Sequence, residues 1–357
     1  MYLGAKCFFG SASRPLRYPR GMDSLTQLAL GAAVGVAVMG RRTAVWKAAL
    51  WGGIAGTLPD LDVLIDHGDD LRNMTMHRGA SHALFWLTLA APVLAAVPAL
   101  LHGERALFRR WWLAVWLALV THPLLDTMTI YGTHLLLPFV REPLGVGSIF
   151  IIDPLYTVPL LAGVAVALAR RHGQGLPWNR AGLLLSTAYL AWSVVAQWQV
   201  HGMAQRALAA QGAQPVRLLV TPTPLNTVLW RAVAVQDDGS YQEGFYSFLD
   251  GGRPMRFEPY PATPGLREQL GALEAVRRLA AFSGGFYRLH ARDGQAWVTD
   301  LRMGQEPRYT FSFLVARRQG DAWSPVVPQL QGSRIDLRRG LAWLWARLLG
   351  RDVAPPA

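Results

Sequence analysis

Cysteine is all but absent from this chain: 357 residues contain one, Cys7. A single thiol excludes an internal disulfide framework and a cysteine-rich zinc site, so a metal would have to be held by His and carboxylates. Charge is scarce as well. Asp, Glu, Lys and Arg make up 16% of the chain, against roughly 25% in ordinary soluble domains, while hydrophobic residues make up 52%. Acidic residues are the scarcer, which leaves a net charge of +12. No basic stripe interleaved with aromatics accompanies that excess, so nucleic acid is not an expected partner. Loop arginines obeying the positive-inside bias account for it. A G-x-S-x-G elbow, a P-loop and a dinucleotide fingerprint are all missing. So is the apolar core of a signal peptide in residues 1–21, where Lys6, Arg14, Arg17 and Arg20 stand among Pro15 and Pro19. That stretch reads as a disordered leader or a misplaced start, with Met22 opening the patterned chain.

Long apolar runs are confined to residues 22–200, at 25–40, 45–58, 83–101, 111–125, 153–169 and 181–197. They predict a multi-pass α-helical membrane domain. Gly31 and Gly35, with Gly52, Gly53 and Gly56 in the next run, predict a closely packed helical hairpin. The turns after the first, third and fifth runs carry Arg41, Arg42 and Lys47, then Arg105, Arg109 and Arg110, then Arg170, Arg171 and Arg180. The turns after the second and fourth are acidic or mixed. The positive-inside bias puts the basic set in the cytoplasm, and the acidic set and everything beyond residue 200 outside.

From 201 to 350 the character changes to short β-branched and aromatic stretches separated by turns such as Asp237-Asp238-Gly239 and Asp293-Gly294. With a helical pattern at 266–282, this reads as a soluble α+β domain with a mainly antiparallel sheet. Residues 337–349 set arginines among Leu and Trp at helical spacing, suited to a membrane surface or to packing on the sheet. Residues 351–357 read as a disordered tail.

The chemistry sits at the edges of the apolar runs. His122 and Asp126 are four apart on a predicted helix and project from one face. Asp60 and Asp62 bracket Leu61, and in an extended loop both carboxylates would aim at one point. His77 and His82 lie on either side of Gly79, which would turn the chain between them, with Ser81 placed to cap the following helix. Arg78 could orient a phosphate or a carboxylate. Asp60, Asp62, His77, His82, His122, Asp126 and His134 are the expected metal ligands. Asp23 and Asp153 stand behind them, and Asp60, Asp62 and Arg78 are the expected catalytic groups. Imidazoles and carboxylates together suit a divalent ion, and metal-assisted hydrolysis is the chemistry such a site performs.

Met22-Asp23-Ser24-Leu25-Thr26-Gln27, Gly56-Thr57-Leu58-Pro59-Asp60-Leu61-Asp62, His77-Arg78-Gly79-Ala80-Ser81-His82 and Thr121-His122-Pro123-Leu124-Leu125-Asp126 together resemble the YdjM-like family of inner-membrane, metal-dependent hydrolases. Many relatives carry His where Gln27 stands. The family is distantly similar to zinc-dependent phospholipase C through the His-x-x-x-Asp element, which maps onto His122 and Asp126. The resemblance implies zinc and a phosphoester; the expected activity is hydrolysis of a phosphoester or other ester of a lipid-like, amphiphilic substrate at a site of two or three ions. The alternative is a non-catalytic membrane protein with a structural metal or His–Asp cluster and a partner-binding C-terminal domain.

Overall fold

The computed structural model describes residues 24–331 and 336–356. The leader and Asp23 lie outside them. The helical region runs α1 (Ser24–Met39), α2 (Val45–Thr57), α3 (Asp70–Met76), α4 (Leu84–Leu101), α5 (Phe108–Met128), α6 (Pro154–Ala169) and α7 (Leu176–Ala210). One of these, α4, is long and apolar enough to cross a membrane by length and composition; α1 and α6 are apolar but shorter. At ~1.5 Å per residue, the 13 residues of α2 span only ~20 Å. α5 is longer but carries Arg109, Arg110, His122 and Asp126.

The glycine pattern is realised as backbone contact. A Cβ on Gly31 would stand 2.3 Å from the Gly52 carbonyl oxygen, and one on Gly56 would stand 2.7 Å from the Gln27 oxygen. Only glycine admits that approach, and it sets the ends of α1 and α2 side by side. At the opposite end the basic turns meet. Thr43 and Lys47 both donate to Glu104, and the Arg41 side chain lies against Gly173.

α7 runs straight through the domain boundary read at residue 200. Its 35 residues measure ~52 Å, more than a ~30 Å hydrocarbon core needs. The first half packs on α6 and the second on the sheet, where Ala196, Val200 and Ala204 join Val220, Trp230 and Ala232 in one core.

Two four-stranded antiparallel sheets follow. The first is β1 (Arg217–Pro222), β2 (Leu229–Val235), β3 (Tyr241–Ser247) and β4 (Arg256–Tyr260), in sequence order. After α8 (Leu266–Leu270) and α9 (Glu274–Phe282) come β5 (Tyr287–Arg292), β6 (Gln295–Asp300), the short hairpin β7 (Gly304–Gln305) and β8 (Arg308–Tyr309), then β9 (Ser312–Gln319) and β10 (Ala322–Leu330). The second sheet is ordered β10-β9-β6-β5. Asp293 and Gly294 both have positive φ, the twist a two-residue hairpin turn requires. The helical pattern at 266–282 divides in two. Pro325 and Pro328 fall in β10. The fold puts it on an edge, where a missing N–H costs no ladder bond. α10 (Leu337–Leu348) closes the chain. The tail beyond it is irregular but held rather than loose: the Val353 carbonyl accepts from the Trp343 indole.

The two regions share a core. Leu71, Met74 and Tyr131 of the helical region pack with Val276, Phe282, Val298 and Phe311 of the other, and Asp70 accepts from the Leu330 backbone N–H at 2.7 Å.

Candidate metal centre

Residues 58–64 form a 3₁₀ turn, not an extended loop. With three residues per turn, side chains two apart diverge, and this separates the two aspartates. Asp60 points into the helices. Asp62 turns to the following loop, where Oδ1 meets His77 Nδ1 at 2.7 Å and Oδ2 accepts from the Arg78 N–H and the Ser81 hydroxyl. Burial pushes the Asp62 carboxyl up, but the His77 bond and charge outweigh it and hold it below the usual carboxylate range.

Arg78 itself takes the left-handed conformation, φ +60°, at a real cost for a residue with a Cβ. That fold-back aims its amide at Asp62, lets its carbonyl accept from the His134 N–H, and sends the side chain inward. Gly79 serves otherwise than expected: φ is negative there, and a Cβ would come within 2.9 Å of the Met76 carbonyl.

Four groups converge. His82 Nε2 and His122 Nε2 are 3.1 Å apart. Asp60 Oδ1 lies 3.3 Å from the first and 3.4 Å from the second, and Asp126 Oδ2 is 3.3 Å from both. All four ligand atoms fall within 4.8 Å of one another. His82, His122 and Asp126 are fully buried; the Asp60 side chain keeps 24% exposure and is the way in from solvent.

The surrounding contacts set which atoms are bare. His122 Nδ1 faces the Gly56 carbonyl at 2.6 Å. A carbonyl only accepts, so Nδ1 carries a proton, and in the neutral imidazole Nε2 keeps its lone pair. The close α1–α2 packing is what delivers that carbonyl. Ser81 Oγ donates to Asp62 and meets His82 Nδ1 at 2.9 Å, which assigns the His82 proton to Nδ1 likewise. Asp126 Oδ1 accepts from Gln27 and pairs with Arg78, both at 3.0 Å, while Oδ2 is buried with no hydrogen-bond partner. With both imidazoles neutral, lone pairs of two imidazoles and two carboxylates face one another. A divalent cation is what such a donor set fits, and among the described residues it is the only such group.

The other expected residues lie around this core. His77 packs edge-on to His82 at 5.9 Å and to Tyr131 at 5.7 Å. It binds Asp62 and not the cluster. His134 Nδ1 faces the Arg141 carbonyl at the surface, and no contact brings it to the cluster. Asp153 caps α6 through the Leu155 N–H and accepts from the Tyr189 hydroxyl. Arg78 is buried against Asp126, Thr129 and the Tyr131 ring, so its charge balances Asp126. Ser81 does not cap α4; it holds His82. Among the described residues a second or third ion finds no ligand set, because Asp62, His77 and His134 are engaged elsewhere. The sequence reading missed the work of Gln27 and the Gly56 carbonyl. The one hint was that Gln27 stands in a motif shared with relatives that place His there.

The family described as YdjM inner membrane protein matches residues 22–200, half of the chain and all four converging residues. A Bacillus subtilis protein, "Uncharacterized protein YfhP", is 30% identical over 157 residues, 41% of this chain and 46% of its own length. The chain therefore spans less than half the length of that relative. No solved structure matches.

Proposed function

The chain belongs to the YdjM inner membrane protein family, and from that premise we propose a multi-pass, metal-dependent hydrolase acting on a phosphoester or other ester of a lipid-like substrate. The observation that carries this is Asp126 Oδ2, wholly buried and unpartnered, 3.3 Å from two imidazole nitrogens. One proton between the imidazoles would bind that pair to each other and still leave this oxygen unmatched. Zinc is the proposed ion. With bonds of ~2.0–2.2 Å a tetrahedral ion has ligand–ligand edges of about 3.3–3.6 Å, close to the imidazole–imidazole and imidazole–carboxylate separations of 3.1 to 3.4 Å.

When bound, such an ion lowers the pKa of water and stabilises the charge that develops in ester cleavage. His82, His122 and Asp126 are its proposed holders. Arg78 and Gln27 fix Asp126, and Asp62 fixes His82 through Ser81. Asp60, ionised and open to solvent, is the group placed to accept a proton at its carboxylate; Asp62 has both oxygens occupied. Leu61, Leu64 and Ile65 are exposed beside Asp60, an apolar rim suited to acyl chains. Basic turns gathered at the far end favour an orientation with the centre and the sheets outside the cytoplasm.

The second reading, a structural metal in a non-catalytic membrane protein, is favoured by the four-ligand closure itself, since catalytic zinc sites keep a position open. Metal analysis of the purified chain, with hydrolysis of phosphodiester and lipid-ester substrates by wild type and His122→Ala, separates the two. The hydrolase reading expects one ion per chain and turnover, both lost in the variant. An ion without turnover supports the structural reading, and a metal-free wild type defeats both.

A further inference from the structure

α10 uses two faces differently. Its inner face is pinned to the first sheet: Trp343 packs on Phe245, and buried Arg347 binds both oxygens of Asp250 and the Phe245 carbonyl. Leu337, Leu341 and Trp345, spaced four apart, point the other way. They are exposed by 71%, 54% and 64%, and nothing among the described residues covers them. Arg338 and Arg339 flank this stripe in the open. The acids nearby are spent locally, Asp336 on the helix N-terminus and Arg339, Asp352 on Arg256.

The stripe continues an apolar belt. Ser247 donates to the Leu348 carbonyl, and the next residue, Phe248, lies 6.0 Å from the ring of Trp192 on α7. On α7 Leu184, Leu185, Trp192 and Trp198 are exposed. Tryptophan at the end of an apolar stretch marks the level of the headgroups. An exposed leucine–tryptophan stripe beside exposed arginines, close to that level, has the chemistry of an interfacial helix.

We propose that α10 lies on the bilayer, with Leu337, Leu341 and Trp345 among the acyl chains and Arg338 and Arg339 on anionic headgroups, so that the sheet region is fastened to the membrane at a second point. The proposal rests on the multi-pass reading, in which the first half of α7 is in lipid.

The test uses the full chain in a Cys7→Ser background, in nanodiscs of phosphatidylglycerol and phosphatidylcholine. Single cysteines at Trp345→Cys and, to spare the tryptophan, Leu341→Cys carry a polarity-sensitive fluorophore. Leu184→Cys reports on the first half of α7, and Arg292→Cys on the open surface. Both α10 labels are expected to shift to the blue and to be quenched by spin-labelled lipid. Neutralising Arg338 or Arg339 to Gln should lower the docked-to-free ratio about fivefold each. Labels at 341 and 345 that behave like the one at 292, while the one at 184 is quenched, overturn the proposal and leave the multi-pass reading standing. If the label at 184 is also unquenched, that reading falls and takes the proposal with it. A blue shift that survives in detergent and grows with protein concentration assigns the face to a second copy and overturns the proposal.

Discussion

Two buried charged clusters, one from each region, are built on opposite rules. In the sheet region Arg231 is enclosed between β2 and β3, yet its donors are matched: Nε to Glu243 at 2.7 Å, Nη1 to the Leu301 carbonyl at 2.8 Å and Nη2 to the Tyr309 hydroxyl at 3.3 Å. In the helical region Asp60, His82, His122 and Asp126 present acceptors to acceptors. The comparison teaches that burial of charge does not mark a site. A balanced set of donors and acceptors is a structural device, and an unbalanced one asks for a guest.

The sharpest way to break the comparison is to unbalance the balanced cluster. Arg231→Ala leaves Glu243 buried and unpaired, and should cost about 3–5 kcal/mol of sheet-region stability in denaturant titration, with bound metal unchanged. A cost near zero would mean the cluster is looser than its distances imply. Chelation or His82→Ala should strip the ion and remove up to ~4 kcal/mol where free metal stands about a thousandfold above Kd. Thermal melts of the stripped protein check this, and an unshifted melt counts against a metal in the folded state. Asp62→Asn tests the outer ring. It should weaken metal affinity ~10–100-fold, whereas His134→Ala should leave affinity untouched.

The smallest expected effect is a pH response in the sheet region. His290 stacks on Trp297 at 5.3 Å with its Nδ1 unpartnered. Burial first, and the charge of Arg288 second, lower its pKa from 6.5 to about 4. Above pH 6.5 it is neutral in both folded and unfolded chains and contributes no pH dependence. As pH falls from 6.5 towards 4, the unfolded chain takes a proton the folded one refuses, so stability declines. The loss should be on the order of 1 kcal/mol after allowing for solvent screening. The slope over that window should be shallower in His290→Phe, and equal slopes would remove His290 from the account.

Much of the helical region was legible because it is written in local patterns. The apolar runs became helices, and the α1–α2 glycines met as their spacing implied. His122 and Asp126 stayed on one face of α5 in spite of Pro123. What escaped was set by neighbours far along the chain. α7 read as ending where its partner changed from helix to sheet.

From composition and spacing alone came the ligand chemistry, imidazole and carboxylate without thiolate, and the segments that carry it. Tertiary structure alone decided the membership. Asp60 and Asp62 are the same residue type two places apart, yet one joins the centre and the other supports it. The reason is directional: a carboxylate oxygen is available only if no donor from elsewhere has claimed it, and the claims on Asp62 come from residues 77, 78 and 81 folded back across a turn. Which lone pairs remain open is a property of the assembled hydrogen-bond network.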